Sequence, residues 1–164
     1  MKKIFTLTLA LISITVLNTQ AHSLYKPKPS IAQFKEGEKF TVSTYASGCF
    51  AVSSTLLVIE KTSKGYRAIY KAGSTSHDEI LKKKKAIRSD IHLSKKLSEK
   101  DLTALLAWEK LLLQRKPQKP EIETMSVAHS FQVNIANKFK LLGQAPLDGY
   151  YELLYKIFGK KING

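Results

Sequence analysis

The sequence predicts an α+β fold: an antiparallel sheet of about five to seven strands with two main helices packed on one face. Three observations carry this expectation. Short runs rich in β-branched and aromatic residues alternate in polarity, as half-buried strands do. Two longer stretches repeat apolar residues at helical spacing. The segments also come in blocks of strands, helix, strands, helix, and such segregation favours antiparallel pairing over a parallel βαβ sheet.

The first 21 residues stand apart from this pattern. Lys2 and Lys3 give a positive start, residues 4–17 are mostly apolar and uncharged, and Thr19-Gln20-Ala21 offers small residues at a cleavage position. This is the layout of a secretory signal peptide. The apolar stretch is shorter than the ~20 residues a membrane span needs. A lipid anchor at Cys49 is not expected, because charged residues 34–39 replace the hydrophobic helix that should precede such a cysteine. Residues 1–21 are therefore read as signal peptide and residues 22–164 as one exported α+β domain, periplasmic or secreted. No transmembrane segment is expected after cleavage.

The strands of that domain begin at residues 40–45, where Phe40, Val42 and Thr44 alternate with Thr41, Ser43 and Tyr45. Ala46-Ser47-Gly48 is expected to turn. Residues 55–60 and 66–71 make the next two strands, and the short Ser63-Lys64-Gly65 link makes them a hairpin. Residues 74–97 are expected to hold one or two more strands, the clearer signal being the alternation over 87–93.

The first helix is expected over residues 97–114. Ser98 is a fitting N-cap, Asp101 completes a carboxylate variant of the capping box, and Leu97 and Leu102 occupy the staple positions. Leu102, Leu105, Leu106, Leu112 and Leu113 are expected on its buried face. Arg115 to Pro120 forms a polar connector. Val127, His129, Phe131, Val133 and Ile135 then share one strand face, Ala136-Asn137 turns, and residues 138–142 continue as a strand. Pro146 to Gly149 opens the last helix, with Asp148 expected as N-cap. Its stripe is Tyr150, Leu153, Leu154, Ile157 and Phe158, and Gly159 is placed to end it.

Composition bounds function. The 164 residues suit one domain, and 43% hydrophobic with 24% charged residues exclude a disordered, collagenous or coiled-coil chain. One cysteine excludes an intrachain disulfide framework and a cysteine-based structural zinc site. The net charge is +14, and residues 61–100 hold 12 Lys or Arg against 4 Asp or Glu. Lys82, Lys83, Lys84, Lys85 and Arg88 are the candidate contacts for an anionic macromolecule or envelope surface. Specific nucleic-acid binding is not expected, because no recognition motif accompanies the charge and lysine greatly outnumbers arginine.

The chemistry-bearing residues form no complete motif. Cys49 is a candidate nucleophile with His129 or His77 as base, and also suits a buried thiol or an intermolecular disulfide. Glu109 falls inside the apolar arc of its helix, which fits either a general acid–base or a carboxylate held by a lysine, a tyrosine or a free backbone amide. His22, exposed as a mature N-terminus, is a candidate copper ligand through its amine and ring nitrogen. No cofactor is expected. The reading is a small exported, non-enzymatic binding or envelope-associated module with a basic surface. Its alternatives are a thiol-dependent hydrolase using Cys49 and His129, with Glu109 as a further candidate, and a copper carrier through His22.

Overall fold

The computed structural model of the chain describes residues 29–48, 51–76, 90–115, 128–144, 146–159 and 162. A short 3₁₀ turn, Ile31–Gln33, precedes β1 (Lys39–Ser47), β2 (Ala51–Thr62), β3 (Gly65–Ser76) and β4 (Ile91–Lys96). Then come α1 (Glu99–Gln114), β5 (Ala128–Ile135), β6 (Phe139–Gly143) and α2 (Tyr150–Phe158). The strands form one six-stranded sheet in the order β4-β3-β2-β1-β5-β6, antiparallel throughout. The α+β expectation holds, with a strand number inside the expected range.

Alternation along the strands decides which residues meet the helices. Phe40 and Val42 of β1 lie opposite Ile59 and Leu57 of β2, and opposite Ile135 and Val133 of β5. All six side chains have no exposed surface. Ala68 and Tyr70 extend this layer into β3. From above, Leu105, Trp108 and Leu112 of α1 and Tyr150, Leu153, Leu154 and Ile157 of α2 complete the core. Burying such side chains is the main stabilising term, about 1.5–3 kcal/mol each relative to exposure.

The first three strands run longer than expected. Ala46 and Ser47 belong to β1, and the turn begins only at Gly48, whose amide bonds the Ala51 carbonyl. Ladder hydrogen bonds carried the strands past the point where the apolar signal fades. The hairpin between β2 and β3 is tight as expected: Thr62 faces Gly65, which takes φ +112. Between β5 and β6, Ala136 and Asn137 both take positive φ, the pattern of a type I′ turn. The Asn134 side-chain oxygen accepts the Asn137 amide at 3.0 Å and holds that turn. Of the region 74–97, residues 77–89 lie outside the described residues, and the remainder holds the end of β3 and all of β4.

α1 begins as the sequence indicates. Ser98 accepts the Asp101 amide, and the Asp101 carboxylate accepts the Ser98 amide at 2.9 Å. Its buried face is corrected, however. Taking about 100° per residue from Leu102, the buried residues Trp108, Asp101, Leu112, Leu105 and Glu109 run from about 240° to about 340°. Leu102, Leu106 and Leu113 are only partly buried at the margin of the core. The helix is rolled toward Trp108, whose ring meets Phe40 edge-on at 6.1 Å and Tyr150 at 6.1 Å.

The cap of α2 is also corrected. Gly149, not Asp148, is the N-cap, with φ +68 and no side-chain bond. The Asp148 carbonyl accepts the Trp108 indole N–H at 2.9 Å, and its carboxylate meets Arg115 at 3.3 Å. The positive φ favours glycine there, and a Cβ on residue 149 would press on the Trp108 ring at 3.2 Å. Gly159 ends α2 with φ +68, donating its amide to the Tyr155 carbonyl.

Lys95 joins the two helices at one edge. Its ammonium reaches both oxygens of Asp101, at 3.0 and 2.8 Å, and the Ile157 carbonyl at 2.7 Å. The charge thus sits at the capping box of α1 and at the carbonyl-rich end of α2, where a cation is favoured. Among the described residues, no helix is long and apolar enough to cross a membrane.

Candidate functional site

The helices cover one face of the sheet, and the same alternation sends a second set of side chains to the other. There the register aligns Lys71, Leu56, Ser43, Gln132 and Leu142 in one row across β3, β2, β1, β5 and β6. Ser54, Tyr45 and Ser130 stand in the adjacent row, and Gln144 follows β6. These residues line a shallow, open groove of about 810 Å³. Thr44, Thr55, Phe131 and Gly143 also border it. Their side chains belong to the opposite face, so they contribute backbone. Thr55 bonds Thr44 at 2.7 Å and the buried Tyr150 hydroxyl at 3.2 Å, and a Cβ on Gly143 would overlap the Phe131 ring.

The chemistry of the groove is specific in what it offers. Three serines, two glutamines and a tyrosine supply groups that both donate and accept hydrogen bonds. Tyr45, Leu56 and Leu142 supply exposed apolar surface, Leu142 being 69% exposed. Among the described residues, Lys71 is the one charged lining residue and no carboxylate lines the groove. Among the described residues, none of these polar side chains is engaged in a hydrogen bond or ion pair with the protein. Elsewhere surface charges pair: Glu60 with Lys39 and Arg67, and Glu38 with Lys138.

Glu109 lies apart from this groove. It is 3% exposed, and its carboxylate accepts the Ile31 amide at 2.8 Å and the Ser30 hydroxyl at 2.9 Å. Burial pushes its carboxyl above the ordinary value, while the two hydrogen bonds act in the opposite direction. Ile31 is held from its other side by the Tyr66 hydroxyl, which donates to its carbonyl at 2.7 Å. Burial, together with the charge of Glu109, pushes the Tyr66 phenol up, so it stays a donor. A small cleft of about 410 Å³ borders Glu109, yet both carboxylate oxygens are already occupied by the chain itself. The geometry is that of a buried carboxylate capping a 3₁₀ turn.

His129 is half-buried on the helix face of β5, opposite Ala46. Glu109 lies near the other end of the sheet, because its partner Ile31 is bonded to Tyr66, one step beyond the Lys39 end of β1. The seven residue steps from Lys39 to Ala46 span roughly 23 Å at a strand's rise. The fold therefore does not bring these two candidates together. His22, Cys49, His77, Lys82, Lys83, Lys84, Lys85 and Arg88 lie outside the described residues. Among the described residues, no cluster of three or more His, Cys, Asp or Glu could hold a metal ion.

Sequence reasoning did not single out the groove. Its only trace there is the spacing of hydroxyl and amide residues between the core positions: Ser43, Ser54, Ser130 and Gln132. Comparison of the chain with protein-family models, with curated proteins and with solved structures finds no match in any of the three.

Proposed function

We propose that this chain is a small exported module that works by binding rather than catalysis, with an anionic component of the cell envelope as its target. The observation that carries this reading is the open sheet face, where unengaged hydroxyl and amide groups share a groove with Lys71 at its β3 end. A binding surface needs polar groups free to exchange water for ligand, arranged on a rigid support. The six-stranded sheet is that support. The export signal read at residues 1–21 and the net charge of +12 on residues 22–164 agree with such a target. Lys82, Lys83, Lys84, Lys85 and Arg88 add long-range attraction to it.

The test is retention on heparin–agarose beside a neutral protein of similar size. The module is expected to elute at distinctly higher salt, since each displaced counterion strengthens attachment at low ionic strength. Elution together with the control ends the reading. Alkylation of Cys49 separates it from a thiol enzyme, for which a native-state thiolate that reacts at once is required.

A further inference from the structure

We propose that the groove on the open sheet face selects an acidic glycan, with Lys71 meeting its carboxylate or phosphate and Tyr45 packing against a sugar ring. The inference rests on the binding reading above and names its ligand class. The groove crosses the strands rather than following one. The backbone N–H and C=O groups beneath it serve the ladders of the sheet, so a ligand must be held by side chains. A peptide docking by strand addition would lie along the edge strand β6 and leave Lys71, on β3 at the other end of the row, out of its reach.

What the side chains present is a set of hydroxyls and amides, each able to give and to take a hydrogen bond. The matching ligand carries many groups of the same dual kind, as sugar hydroxyls do. The apolar face of a sugar ring finds its counterpart in Tyr45, 42% exposed, with Leu56 beside it. Charge complementarity supplies the acid: among the described residues Lys71 is the one charge in the lining, and no carboxylate there opposes an anion. A membrane surface fits less well, because acyl chains would strip water from Ser43, Ser130 and Gln132 without replacing it. From β3 to β6 the row is roughly 19 Å long at the spacing of strands, room for a short oligosaccharide.

Isothermal titration of the full chain tests this with three probes: an oligoguluronate, uncharged maltohexaose, and vesicles of phosphatidylglycerol. The oligoguluronate is expected to bind about tenfold or more tightly than maltohexaose, and the vesicles not at all. Lys71→Gln should lose about tenfold toward the oligoguluronate, and Lys71→Arg should restore most of it. Tyr45→Ser should weaken both sugars, while Lys100→Gln on α1 should change neither. Among the described residues neither Lys71 nor Tyr45 makes a hydrogen bond or ion pair, so melting temperatures measured beside the titrations should change little, and a loss without a fall in melting temperature is one of binding.

Oligoguluronate binding that survives Lys71→Gln and Tyr45→Ser overturns the groove assignment and leaves the binding role standing. Binding to vesicles alone overturns the glycan and likewise leaves that role. Failure to bind the oligoguluronate, with heparin retention no greater than the control, removes both.

Discussion

Glu109 shows how much a single buried carboxylate can be asked to do without chemistry. An unpaired charge at that depth would be strongly unfavourable, and the chain offsets it with one backbone donor and one hydroxyl. The consequence is a structural tie between the lead-in segment and α1. Glu109→Gln keeps an acceptor for the Ile31 amide and is expected to change stability at neutral pH by less than about 1 kcal/mol. Glu109→Leu leaves that amide unpaired and should cost about 1–3 kcal/mol. Urea denaturation of the two variants beside the parent separates these outcomes; equal losses would mean that the amide finds another partner.

At the scale of elements, α1 and α2 are locked by one aromatic side chain. Trp108 fills the space between Phe40 and Tyr150, and its indole N–H holds the turn that starts α2. That turn in turn needs Gly149 against the ring. Trp108→Ala is therefore expected to cost about 3–5 kcal/mol and to loosen α2 together with α1. Far-ultraviolet circular dichroism follows the helices directly, and a loss under 1 kcal/mol would contradict this packing. The leucine spacing announced the helix, its start and its length. It missed the roll, because leucines at the margin of a core and leucines at its centre look alike in sequence, and the arc of Leu105, Trp108 and Leu112 holds fewer leucines than the one beside it.

Across the whole molecule, two carboxylates give stability opposite dependences on pH. Burial opposes ionisation of Asp101, but hydrogen bonds from Lys95 and Ser98 outweigh it and hold the carboxyl below the ordinary 3.8. Its contribution is complete above that value and is lost as pH falls through the lowered one. Glu109 is raised above the ordinary 4.5, so the folded state takes up a proton more readily than the unfolded chain. Its contribution is complete below 4.5 and is lost as pH rises through the raised value. Asp101 therefore adds to an acidic limb of the melting-temperature profile that the lowered Glu38 and Glu60 share, and Glu109 adds a fall above 4.5. Glu109→Gln should flatten the alkaline limb just above 4.5, and Asp101→Asn the acidic limb below 3.8. A limb that keeps its slope in the matching variant assigns it to another group.

Sequence alone determined the fold class, the order and type of the elements, the capping box of Ser98 and Asp101, and the burial of Glu109. These follow from local propensity and from periodicity within a dozen residues, which a chain carries wherever it folds. Tertiary structure decided which bond satisfies Glu109, how far α1 rolls, and which residues share the open face. Lys71, Leu56, Ser43, Gln132 and Leu142 come from five strands. They become neighbours only because β5 docks on β1, after the intervening chain has placed α1 over the sheet. Nothing within any one strand encodes that juxtaposition, since cross-strand register is set by distant segments competing to bury their apolar faces.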